Sequence, residues 1–114
     1  MMKLLLALAL SMATTSVAAE TVWGTEGGCQ RHAGQMPDTD LVFLLYPDRV
    51  EGWESRCAIV GTEFLEADAT ILVTECAGEG DVWIESFIIR RSGGMLISAP
   101  MTAPDFANEL KVCK

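Results

Sequence analysis

Histidine occurs once in this chain, at His32, and basic residues are scarce: eight Lys and Arg stand against sixteen Asp and Glu. With one histidine, a zinc site of three or four His and Cys ligands lacks donors once the cysteines are oxidised. The same oxidation removes the thiol that a Cys–His nucleophile would need, which leaves His32 as a lone surface histidine. The formal charge of −8 argues against nucleic-acid and anionic-membrane partners, which need clustered Lys and Arg. It permits attraction to a basic protein. No Gly-x-Ser-x-Gly elbow, Gly-rich phosphate loop or Cys-x-x-Cys pair occurs, which excludes those hydrolase, phosphate-binding and redox motifs. After the first nineteen residues no apolar run approaches the roughly 20 residues of a membrane span. The expectation is a non-enzymatic protein with no cofactor, no metal and no inserted segment.

What is present begins with Met1-Met2-Lys3, the apolar run Leu4 to Leu10 and small residues to Ala18-Ala19. A charged start, a short apolar stretch and a small-residue exit are the parts of a secretory signal peptide. Residues 1–19 are therefore expected to be the leader and residues 20–114 one mature domain in the periplasm or the medium. No cysteine stands at the cleavage point, so no lipid anchor is expected. Loss of Lys3 moves the formal charge from −8 to about −9.

The mature region reads as short strands broken by turn residues. The segments are 41–46, 49–53, 56–64, 69–77, 81–91 and 95–99, with Pro47-Asp48, Gly78-Glu79-Gly80 and Gly93-Gly94 turning the chain. Two adjacent glycines suit a type I′ hairpin. Residues 105–113 fit a short helical turn followed by a last strand. Thr25 to Ala33 could form a turn of helix, but Gly27-Gly28 count against it. The expected fold is all-β: a small antiparallel meander of six to seven strands forming a barrel or a sandwich.

Cys29, Cys57, Cys76 and Cys113 are an even set in an exported chain and predict two disulfides among three possible connectivities. If 56–64 and 69–77 form a hairpin with a loop at 65–68, Cys57 falls opposite Cys76 and Phe64 opposite Ala69. Opposed residues at a non-hydrogen-bonded position are close enough to bridge. Cys57–Cys76 is the preferred bond, leaving Cys29–Cys113 to tie the domain's ends. In that register Ala58, Val60, Phe64, Ala69, Ile71 and Val73 share the face expected to meet the core.

Acids crowd together at Asp38/Asp40 and Glu63/Glu66/Asp68. The calcium-loop pattern of oxygen ligands is missing, and glycoside hydrolysis by paired acids needs a cleft that a short meander rarely supplies. Solvated turn and edge charges are the expected role. In 81–91, Trp83, Glu85, Phe87 and Ile89 alternate with Val82, Ile84, Ser86 and Ile88, so both faces are largely apolar. Core packing is one reading. The other is an exposed aromatic binding surface with Trp83, Phe87 and Trp53 as its candidates.

The layout Trp23-Gly24, Cys29, Val50-Glu51-Gly52-Trp53-Glu54, Cys57, Cys76 and Cys113 resembles small exported four-cysteine proteobacterial proteins of uncharacterised function. That resemblance implies an all-β domain and brings no active site. The leader, small β fold and paired cysteines also loosely resemble the periplasmic lysozyme inhibitors. Those proteins share a Ser- and Lys-bearing loop that enters the enzyme cleft, and the nearest stretch here, Arg90-Arg91-Ser92-Gly93-Gly94, lacks the Lys. The reading is a secreted or periplasmic binding domain. Its alternatives are an acidic inhibitor of a basic hydrolase such as lysozyme and a small carboxylate-dependent hydrolase.

Overall fold

In the computed structural model, which describes residues 20–114, eight antiparallel strands close into one barrel in the order of the chain. They are β1 (Trp23–Gly24), β2 (Leu44–Leu45), β3 (Arg49–Glu51), β4 (Arg56–Glu66), β5 (Ala69–Gly78), β6 (Asp81–Ser92), β7 (Met95–Pro100) and β8 (Asn108–Val112). Closure comes from β1, which pairs with both β2 and β8. The all-β meander is as expected, and the barrel replaces the open choice between barrel and sandwich. The additional strand is β1, whose two residues carry no period of their own and are held by their neighbours. The leader expected over residues 1–19 lies outside the described residues.

One helix, α1 (Glu26–His32), follows β1. Thr25 caps it: its hydroxyl accepts from the Gly28 N–H at 3.1 Å and donates to the Leu41 carbonyl at 2.7 Å. The Phe43 N–H also donates to that hydroxyl, at 3.1 Å. The two glycines that argued against a helix are what lets it dock. A Cβ on Gly28 would lie 2.3 Å from the Phe43 carbonyl oxygen. Propensity opposed this helix by roughly 1 kcal/mol per glycine, and capping plus close contact with the wall outweighs it.

Both disulfides form as preferred, Cys29–Cys113 and Cys57–Cys76. The first ties α1 to the end of β8. Beside it, outside the barrel wall, Val22, Leu44 and Tyr46 make a small cluster against Cys113. The second lies inside the barrel with Val50, Leu72, Phe87, Ile89, Leu96 and Leu110. Such bridges suit an oxidising compartment, the periplasm or the extracellular space. No helix among the described residues is long and apolar enough to cross a membrane.

The β4–β5 register corrects the expected core face. Cys57 does pair with Cys76, but bulges follow at Ile59/Gly61 and Phe64/Glu66, so Phe64 faces Thr70 rather than Ala69. The turn shortens to Ala67-Asp68. The cysteine face points inward, and Ala58 and Val60 are exposed on the outer wall. The cysteines themselves belong to the core, which reverses the expectation for Ala58 and Val60; the bulge after Ile59 then brings Thr62 and Phe64 to the cysteine side, and Ala69 is buried as expected, at 3% exposure. The Gly93-Gly94 turn also differs. Only Gly93 has positive φ, at 63°, which is the type II′ pattern. Positive φ at both central positions belongs to Glu79 and Gly80, at 50° and 86°.

Candidate functional site

The barrel has two ends. At one stand the turns 47–48, 67–68 and 93–94; at the other, the loop Gly52–Ser55 between β3 and β4 lies beside the turn Glu79-Gly80 between β5 and β6. Trp53 rides on that loop and Trp83 sits at the start of β6. Together with Glu54, Ser55, Gly78, Glu79 and Asp81 they line one cleft of about 400 Å³.

Each wall of the cleft has a local cause. Trp83 stands opposite Cys76 in the β5–β6 ladder, so it takes the inward-facing direction at the barrel's end, where nothing remains to cover it fully. It stays 36% exposed. Its indole N–H donates to a Glu85 carboxylate oxygen at 3.1 Å, which sets the ring's orientation. Trp53 is 46% exposed. Its loop is closed by the Gly52 N–H donating to the Ser55 carbonyl at 2.9 Å. Arg31, from the last turn of α1, donates to the Gly52 carbonyl at 2.8 Å and to the Trp53 carbonyl at 3.1 Å. The helix thus holds the loop that carries the indole.

The cleft is acidic without compensation. Among the described residues every ion pair uses another carboxylate: Asp48 with Arg49, Glu51 with Arg49 and Arg56, Glu66 with Arg90, and Glu26 with Lys111. Among the described residues, Glu54, Glu79 and Asp81 have no Lys or Arg in ion-pair contact. The Glu54 carboxyl is pushed above its ordinary 4.5, first by hydrogen bonding to Glu79 and then by that neighbour's negative charge. This acid pair stands beside two open indoles. Carboxylates supply counter-charge and indole faces supply negative quadrupoles, so the arrangement suits a cation.

Of the three aromatic residues expected at a binding surface, two meet here. Phe87 does not join them: it is 6% exposed and packs edge-to-face on Phe43 with ring centroids 5.6 Å apart. It points inward four residues deeper along β6, where the barrel is closed around it. The carboxylates of the cleft escaped the sequence reading, which weighed the acids at 38–40 and 63–68. Glu66 of that group is paired with Arg90 at 2.6 Å, and Asp38 and Asp40 are exposed. A usable signal was the repeat of one acid on each side of a turn glycine, Glu79-Gly80-Asp81, close to Trp83. His32 lies on the surface, with Nδ1 3.1 Å from the Tyr46 hydroxyl. Among the described residues no group of three or more His, Cys, Asp or Glu side chains is placed to hold a metal ion. No protein-family model, no curated protein and no solved structure matches this chain.

Proposed function

We propose that this chain is an exported, non-enzymatic binding domain, and that its Trp53–Trp83 cleft takes a Lys or Arg side chain from a basic protein partner. The observation that carries the reading is the pairing of two half-open indoles with three carboxylates that lack basic partners among the described residues. A cation between them is attracted by the ring faces and by the uncompensated charge. The net negative charge of the whole domain steers a basic partner towards it. Export is supported by the leader-like residues 1–19 and by the two bridges. The inhibitor reading is a specific case of this one: the partner would be a basic hydrolase such as lysozyme, engaged through its surface cations.

The test is a fluorescence titration of the oxidised protein with a short lysine-rich peptide. Saturable quenching that weakens with added salt, and disappears in Trp53→Ala, supports the reading. Equal quenching by a peptide with the lysines replaced by norleucine contradicts it. Slowing of lysozyme at micromolar protein would assign the inhibitor case; full activity would remove that case alone.

A further inference from the structure

The opposite end of the barrel carries a second cavity, of about 330 Å³. Its wall is built from the inward-facing side of the strands: Trp23, Ile59, Leu72 and Ile89 below, with Thr62 and Thr70 at the rim. The register explains the grouping. Thr62 faces Leu72, and Thr70 faces Ile89. The lining contains no charged side chain, although the chain as a whole is rich in acids. A charged ligand there would lose its hydration with no counter-ion to replace it.

One exposed aromatic residue stands beside this cavity. Phe64 pairs with Thr70 and so takes the direction of the cavity wall, yet it is 81% exposed. Its ring is not part of the cavity wall, which reaches it only through its partner Thr70. An eight-stranded barrel is about wide enough to hold one small ligand above its packed interior, and barrel mouths are common ligand sites.

From these observations we infer that the barrel mouth binds a small, uncharged, largely apolar molecule bearing one hydrogen-bonding group. The apolar body rests on Trp23, Leu72 and Ile89, Phe64 covers its outer side, and the threonine hydroxyls at the rim meet its polar group. The site is separate from the Trp53–Trp83 cleft and independent of it.

The probe is N-phenylnaphthylamine, neutral, apolar and carrying one N–H. Adding it to the oxidised protein should give saturable fluorescence at one probe per chain. The indole N–H resonance of Trp23 should shift, and those of Trp53 and Trp83 should stay. Thr62→Trp, a rim change that fills the mouth from an exposed position, should abolish the enhancement. Ile84→Lys, on the exposed outer wall, should leave it intact. Absence of binding to the unsubstituted protein overturns the inference. So does binding that survives Thr62→Trp in a protein whose Trp53 and Trp83 resonances are unchanged, and so does loss of binding in Ile84→Lys. Because the cation site is read at Trp53 and Trp83 and this one at Trp23, failure of either leaves the other standing.

Discussion

Gly78 approaches Glu54 so closely that a Cβ on it would come within 2.6 Å of the Glu54 carbonyl oxygen. This contact presses the Trp53 loop against the β5–β6 turn and brings the two indoles into one cleft. It is a backbone approach, so a side chain at position 78 must push the loop away.

Gly78→Ala should therefore destabilise the domain by about 1–3 kcal/mol, the range for forcing extra atoms into a packed site. Denaturant unfolding measures the loss, and displaced Trp53 and Trp83 indole resonances would locate it. An unchanged midpoint would mean that the loop is not held by this contact.

Arg31 holds the same loop from the helix side. Arg31→Ala removes the donor to the Gly52 and Trp53 carbonyls, and should weaken binding of the lysine-rich peptide while sparing the barrel. Acrylamide quenching of the tryptophans should rise in that variant. Unchanged peptide affinity would show that the loop needs no support from α1.

Thr25 makes three hydrogen bonds from a buried hydroxyl, joining the start of α1 to the segment 41–43 that leads into β2. Thr25→Ala should cost about 1–3 kcal/mol, combining loss of a helix cap with unpaired buried groups. Thr25→Ser keeps the hydroxyl and should recover most of it. Thermal unfolding of the pair of variants checks this, and equal losses in both would shift the effect to the missing methyl.

The disulfides should differ in worth. Cys57–Cys76 closes a separation of 19 residues and Cys29–Cys113 one of 84. In the chain-entropy view these contribute about 3 and about 4.5 kcal/mol. Double alanine substitution of each pair, followed by denaturant unfolding, should leave the Cys29/Cys113 variant the less stable. The opposite order would assign the larger share to packing around Cys57 and Cys76 inside the barrel.

Cation binding should depend on pH through Glu54. Its carboxyl is raised above the ordinary 4.5 by the hydrogen bond to Glu79 and then by that neighbour's charge, so a cation binds best once Glu54 has lost its proton. Affinity for the lysine-rich peptide should increase as pH rises above 4.5, then level off once Glu54 is ionised. In Glu79→Gln the dependence should move to lower pH, because both the hydrogen-bonded carboxyl and its charge, which raise Glu54, are removed. Peptide affinity constant across that range would contradict the role of the acid pair.

The sequence carried the architecture where residues repeat with the period of a strand. From β4 to β7 the boundaries fall within two residues of those expected, because alternation and turn residues mark them. The Cys57–Cys76 pairing was legible for the same reason. Strands β1 and β2, two residues each, have no period and exist through pairing with their neighbours. Helix α1 was opposed by its glycines, since the contact with Phe43 that needs Gly28 is not local. The binding surface was half legible. Trp53 and Trp83 stood out as residue types, but their meeting depends on Gly78 and Arg31, contacts between segments distant in the chain. Phe87 shares the alternation of Trp83 and differs only in depth, which the order of residues does not state.

The most direct measurement is a titration of the oxidised protein with the lysine-rich peptide, followed at the three indole N–H resonances. The account predicts that Trp53 and Trp83 move together, saturate at one peptide per chain, and leave Trp23 in place. Movement of Trp23 alone, or of none of the three, would contradict it.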